Sequence, residues 1–343
     1  MRGREGRLID ADGRLRFGIF ADPIVEVNYR DYLLTTPFGR PASRWARHFG
    51  FKQFQFLGAL SDELVFGCAV ADIGYAGIAF VYFHDPASRR RSAHSFQTPL
   101  GLGVGFDQAP ETGRATFQAR GVEIEMSAGD SPCHRRLVAR LAGGGSIDAY
   151  FDEETPRQHA MRICTRAGAT GWVYARKTAG MPVSGLVRWN GRAVDLAAVG
   201  ARGHCDWSAG YMRRQTFWDW GCLAGTVADG RALGMNVSCG VNETSFTENC
   251  FWVDGTVHKI DAVAFEHDRG DLLKAWQLRS YDGRLELEFQ PEASHAEKRN
   301  AWIIASNFNQ LFGRYHGRLV TTAGEEIRVD GTLGYAESHY AKW

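Results

Sequence analysis

FGFKQFQFLGAL (residues 49–60), ELVFGCAVAD (63–72) and YAGIAFVYFHD (75–85) follow one another with two residues between each pair. Each is an apolar or alternating run of strand length, and each break is a compact turn: Ser61-Asp62 in the first case, Asp72 through Gly74 in the second. A strand places successive side chains on opposite faces, so such runs bury one or both faces of a sheet. The stretch predicts a three-stranded antiparallel meander.

The same pattern extends along the chain. GVEIEMS (121–127) alternates Val122, Ile124 and Met126 with Glu123, Glu125 and Ser127, and LELEF (285–289) alternates Leu285, Leu287 and Phe289 with Glu286 and Glu288. Turn pairs recur at Arg120-Gly121, Asn190-Gly191, Asp254-Gly255, Asp282-Gly283 and Asp330-Gly331, each able to supply a residue that tolerates positive φ. Helix candidates are few: RPASRWARHFG (40–50), and EASHAEKRNAWIIASNFNQLFG (292–313), which reads equally as a loop followed by a strand. Many short antiparallel strands with small turns close economically as barrels or sandwiches, because closure removes exposed edges. The expectation is an all-β, mainly antiparallel fold of two barrel-like units with few short helices.

A chain of 343 residues is about twice the usual domain, which supports two cores. The Pro- and Gly-bearing stretch AGMPVSGLVRWNGRAVDL (179–196) places the boundary near 185, giving units 1–185 and 186–343. With 40 basic and 39 acidic residues, no global field attracts nucleic acid. MRGREGRLIDADGRLRFG at the start lacks an apolar h-region, and no run approaches the roughly 18 apolar residues of a membrane span, so no integral membrane segment is expected and a cytoplasmic location is the default. The seven cysteines are scattered, with no CxxC, and are expected as reduced, mostly buried thiols. His84, His258, His267, His316 and His339 show no metal-ligand spacing, and GLGVGF (101–106) lacks the context of a phosphate loop; neither a metal nor a cofactor is expected.

One stretch concentrates chemistry. GHCDWSAGYMRRQTFWDW (203–220) holds a histidine, two aspartates and three tryptophans in eighteen positions. His204 and Asp206, two apart on a strand, share a face about 7 Å apart and suit a common proton network. Trp218 and Trp220 likewise share a face and suit the wall of an apolar cavity, although large aromatics also fill cores. Downstream, Asn236, and Asn242, Glu243, Glu248 and Asn249 of NETSFTEN (242–249), are polar groups in or beside strands, where they need partners or a ligand. His204, Asp206 and Glu243 are the candidate catalytic groups. Trp218, Trp220, Asn236, Asn242, Glu248 and Asn249 are the candidate ligand contacts.

RGHCDWSAGYMRRQTFWDWG, ALGMNVSCG, TENCFWVDG, LFGRYHGRL and GTLGYAESHYAKW, with FGCAVADIGYAGIAFVYFHD and ARKTAGMPVSG, resemble the bacterial family catalogued as domain of unknown function 2804. That family is similar to the hydroxyneurosporene synthase and AttH-like group. The resemblance implies two lipocalin-type barrels in tandem and includes, in the wider group, cofactor-free hydratases and cyclases of hydrophobic substrates. His204, Asp206, Trp218 and Trp220 match the histidine or aspartate beside a tryptophan-rich strand; here the order is His204-Cys205-Asp206, where the wider group more often has an Asp-His pair. Two functions follow as expectations. One is an enzyme without cofactor that isomerises, hydrates or cyclises an apolar molecule in a pocket of the C-terminal barrel. The other is a binding or carrier protein for a lipid or other hydrophobic molecule, in which the same groups only orient the ligand.

Overall fold

The computed structural model describes residues 6–128, 134–154, 158–240, 246–301 and 304–343. The 49–85 meander forms as read, with strands Phe51–Leu60, Val65–Asp72 and Ala76–His84 paired antiparallel. The Ser61 hydroxyl closes the first turn by taking a hydrogen bond from Leu64 N at 3.0 Å, and the Asp72 carboxylate takes one from Gly74 N at 2.8 Å in the second. Arg120-Gly121, Asn190-Gly191 and Asp254-Gly255 each place two consecutive residues at positive φ, as a tight hairpin requires.

The strands of the described residues fall into two sheets. In the first, the main path runs Arg91–Pro99, Ala76–His84, Val65–Asp72, Phe51–Leu60, Arg202–Tyr211, Gly171–Trp189, Ser146–Asp152, His134–Arg140, Val122–Ser127, Ala115–Ala119, Val104–Phe106. In the second it runs Thr256–Lys259, Cys250–Val253, Ala232–Cys239, Gln215–Thr226, Glu326–Lys342, Ile304–Val320, Leu285–Ala301, Trp276–Ser280, Val263–Glu266. Both sheets are antiparallel and both curl. In the first, Phe96 from one edge lies 6.2 Å from Phe117 near the other, and one interior core joins Leu57, Phe66 and Phe83 to Ile124, Leu137 and Phe151. In the second, Phe251 near one edge shares a core with Val263 and Trp276 at the other.

Strand Gly171–Trp189 changes partners along its length. Its first half pairs with Met161–Ala167 and Arg202–Tyr211, its second half with Ser146–Asp152 and Arg192–Asp195, and the ladder shifts register between Ala179 and Met181. Gly185, the position at which the sequence pattern suggests a boundary, lies within this strand, and the chain passes from one sheet to the other between Tyr211 and Gln215.

Helix is confined to the short helix Arg44–Gly50, capped by the Ser43 hydroxyl on Ala46 N, and one 3-10 turn among the described residues. The other helix candidate, 292–313, is instead parts of two strands, Leu285–Ala301 and Ile304–Val320. Its polar residues lie in a long hairpin whose inner strand is flanked on both sides, so cross-strand bonds take the backbone groups a helix would have used. Asp330-Gly331 is likewise not a turn: strand Glu326–Lys342 runs through it, His316 facing Asp330 and Tyr315 facing Thr332, with Gly331 bulged out at φ +68°. The described cysteines, Cys68, Cys164, Cys205, Cys222, Cys239 and Cys250, are free thiols. No helix among the described residues is long and apolar enough to cross a membrane.

Between the two sheets lies a further apolar layer. Phe56, Leu60, Val65, Ala69 and Tyr82 of the first sheet meet Cys222, Ala224, Phe312, Leu333 and Tyr335 of the second. The backbones approach closely at Gly180, left-handed at φ +93°, and Gly234, where an added Cβ would come within 2.2 Å of the Ala179 carbonyl oxygen.

Candidate functional site

Alternation along Arg202–Tyr211 divides its side chains between two environments. Cys205 faces the first barrel's interior core, and His204 and Asp206 face the layer between the sheets. Opposite them, the register of Gln215–Thr226 with Glu326–Lys342 pairs Trp218 with His339, Trp220 with Glu337 and Cys222 with Tyr335, all on the facing surface of the second sheet. The predicted residues therefore come from both sheets, and the interior of the second barrel is occupied by Phe251, Trp276, Phe289 and Tyr315.

His204 is buried, and its Nε2 is hydrogen-bonded to the Tyr335 hydroxyl. The imidazole is stacked on Phe56 at 4.9 Å and lies 6.0 Å from the Trp220 ring. Burial drives its pKa down to about 3, with the Lys177 ammonium pushing the same way, so the ring is neutral at physiological pH. The Tyr335 hydroxyl is in turn bonded to Tyr82, and burial raises both phenols above their ordinary range. Room for these rings is left by two glycines opposite one another on neighbouring strands, Gly58 and Gly67. A Cβ on Gly58 would meet His204 Nε2 and the Phe56 ring at 2.7 Å, and one on Gly67 would meet the Tyr82 hydroxyl at 2.5 Å.

Beside this pair is an ionic cluster. Lys177, from the neighbouring strand position facing Asp206, donates to Asp206 Oδ2 at 2.5 Å and lies 3.3 Å from Glu248 Oε1. Burial alone would lower the ammonium's pKa, but the two carboxylates more than reverse this and raise it. Among the described residues, Lys177 is the one cation set between these two buried carboxyl groups. Burial and the neighbouring Glu248 lift the Asp206 carboxyl above its usual range, against the opposing pull of Lys177 and the hydrogen bond from Ser208. Asn236 ties the cluster to the aromatic wall. Its Oδ1 accepts from Trp220 Nε1 at 2.9 Å, and its Nδ2 donates to Glu248 Oε1 at 3.4 Å.

Of the predicted residues, His204, Asp206, Trp220, Asn236 and Glu248 are thus brought together. Trp218 lies further along the same face, where its indole N–H donates to Glu337 Oε1 at 2.8 Å and its ring packs 4.3 Å from His339. Asn249 is apart from the cluster: it accepts from Ser238 N at 2.7 Å and donates to the Asp261 carbonyl at 3.2 Å, pinning a loop to strand Ala232–Cys239. Asn242 and Glu243 lie outside the described residues. Lys177 and Tyr335 were missed as site residues. The adjacent basic pair Arg176-Lys177 within the strand-like run WVYARKTA (172–179) was a signal for the first; Tyr335 carried none beyond its place in GTLGYAESHYAKW.

Two surface cavities lie elsewhere. One, of about 450 Å³, is lined by Leu15, Phe17, Tyr32 and Arg166 among others. The second, of about 530 Å³, lies where Arg314 of the second sheet meets Asp62 of the first at 2.7 Å.

Curled antiparallel sheets in tandem, with a buried polar and aromatic layer between them, define a two-barrel protein of the lipocalin-like class. The chain belongs to the family described as domain of unknown function DUF2804, whose model matches residues 2–343. Among solved structures it is similar to an AttH-like protein from Nitrosomonas europaea, at 14% identity over 84% of this chain and 91% of that one, with a TM-score of 0.52. It is similar also to CghA in complex with Sch210972, at 11% identity over 85% and 88% of the two chains and a TM-score of 0.50. Kievitone hydratase from Nectria haematococca aligns at 8% identity over 84% and 88%, with a TM-score of 0.48. No curated protein matches in sequence.

Proposed function

We propose that the chain is an acid–base enzyme that isomerises, hydrates or cyclises a hydrophobic small molecule held between the two sheets. The observation that carries this reading is the neutral His204, bonded to Tyr335 and walled by Phe56 and Trp220, on the same strand face as a carboxyl raised by burial. Isomerisation, hydration and cyclisation each need a proton delivered at one atom and removed at another. Asp206, with its elevated pKa, is the proton donor. His204, whose pKa near 3 makes it too weak a base to take the second proton, holds and orients the substrate's polar group together with the Tyr335 hydroxyl, and the Asp206 carboxylate left after donation takes the proton back at the other atom. Lys177 and Glu248 position Asp206, and Trp220 supplies apolar contact area. A shared fold gives further support, since CghA has been solved with the small molecule Sch210972.

A second reading, a carrier without turnover, is favoured by one observation: His204 and Tyr335 already satisfy one another and are both buried. One experiment separates the two. Organic extraction of the purified protein and mass spectrometry identify the retained molecule, which is then returned to the protein in heavy water. An enzyme incorporates deuterium into the molecule, and Asp206→Asn abolishes the incorporation while leaving binding nearly intact. Trp220→Ala weakens binding itself by about 2–3 kcal/mol through lost contact area. Recovery of the molecule undeuterated and unchanged from the wild type leaves the carrier reading.

A further inference from the structure

We infer that one end of the first barrel docks on an anionic lipid surface. Strand topology defines this end. Phe51–Leu60 and Ala76–His84 begin there, and Val65–Asp72 and Arg91–Pro99 finish there, so helix Arg44–Gly50, the turn 73–75 and the loop 100–103 are gathered side by side. The contacts agree: an added Cβ on Gly74 would come within 3.2 Å of Phe49 Cα, and Leu100 N donates to the Tyr75 carbonyl at 2.8 Å. The hairpin bridged at Thr35 and Pro41 leads into the helix, which is held against the same region by Arg47 donating to the carbonyls of Arg30 and Tyr32.

The side chains presented there are apolar and basic. Phe38 is 92% exposed, Trp45 73%, Leu100 66% and Leu102 62%. Isolated exposed apolar residues are ordinary, but four large ones on adjoining tips of one end are a patch. From Tyr32 to Ser61 the chain has no Asp or Glu, while it carries Arg40, Arg44, Arg47 and Lys52. Arg40 and Arg44 are exposed and form no ion pair among the described residues. The carboxylate on the adjoining turn, Asp72, is half-buried and turned back to Gly74 N.

The form of the patch decides the occupant. Its apolar groups are protruding tips interleaved with guanidinium groups, whereas a protein partner would require a surface shaped to receive each tip. A lipid interface yields to any shape, takes indole and phenyl rings at headgroup depth, and attracts arginines when it is anionic. The chain's net charge of +1 makes this a local attraction, oriented so that this end faces the bilayer. The inference is independent of the chemistry assigned to His204.

Sedimentation of the full chain with phosphatidylcholine vesicles containing about 30 mol% phosphatidylglycerol, against vesicles of phosphatidylcholine alone, tests it. Binding is expected only to the anionic vesicles and is lost at high salt. The variant Arg40→Gln/Arg44→Gln should bind about 25-fold more weakly, about fivefold for each arginine. Trp45→Ala should lower partition about tenfold through lost apolar burial. These side chains are exposed, so circular dichroism and thermal unfolding should be unchanged; if a variant fails to fold, the salt and lipid dependence of the wild type still decides. Absence of binding to anionic vesicles, equal binding to neutral ones, or binding that survives both variants overturns the inference, the first pointing to a protein partner for the patch.

Discussion

His204 couples the layer between the sheets to pH. Its ring is neutral in the fold down to about pH 3, whereas an unfolded histidine takes up a proton near pH 6.5. Below pH 6.5 the unfolded chain therefore binds more protons than the folded one, and stability falls as pH falls, until the folded ring titrates as well. At pH 5 the loss from this residue is about 2 kcal/mol, from 1.36 kcal/mol for each pH unit below 6.5. Buried His84, lowered to about 4, acts in the same direction. Urea unfolding at pH 7.5 and at pH 5 should show a smaller difference for His204→Gln than for the wild type, by about that amount. Equal differences would mean that the imidazole is charged or wet in the fold.

At the scale of elements, the site depends on what faces His204 across the ladder. Gly58 is paired with it, and a methyl group there would stand 2.7 Å from Nε2 with Phe56 equally close. Gly58 has an ordinary strand φ, so Gly58→Ala tests space and not backbone strain. It should cost about 1–3 kcal/mol of stability by overpacking and displace the imidazole from Tyr335, while Gly191→Ala, at a hairpin tip with nothing within 4 Å, should cost only the strain of its positive φ. Proton NMR of the imidazole would show the His204 environment altered in the first variant and intact in the second. The elements themselves were largely legible. Alternation marked the strands at 121–127 and 285–289, which have one dry face, and turn signals between apolar runs marked the meander of 49–85, whose strands Phe51–Leu60 and Val65–Asp72 are dry on both. The polar run from 292 onward was not legible, since its strand character comes from neighbouring ladders and not from its own periodicity. The site was half legible. Local spacing brought out His204 with Asp206 and Trp220, but Tyr335 is 131 residues from His204, a separation on which single-sequence patterns are silent.

Over the whole molecule, the two curled sheets share more than a linker. Lys177 of the first is joined to Glu248 beside the second, Trp252 Nε1 donates to the His159 carbonyl at 2.7 Å, and Gly180 meets Gly234 backbone to backbone. These contacts, with the apolar layer around Phe56 and Tyr335, predict that the barrels unfold together. Calorimetry should give a single transition whose calorimetric and van't Hoff enthalpies agree. Gly234→Val, whose first added carbon would lie 2.2 Å from the Ala179 carbonyl oxygen, should force the sheets apart and split or broaden that transition. Two well-separated transitions in the wild type would show the barrels to be independent. The closed layer also has a kinetic meaning. Tyr335 is fully buried and His204 nearly so, so a molecule from outside reaches them only during the fraction of time in which the sheets part. For a molecule bound there as proposed, association would be paced by breathing of the protein and not by collision, and the apparent affinity would be the intrinsic one diminished by the population of the open form. The same breathing sets the residence time, so a molecule once enclosed leaves no faster than the sheets reopen.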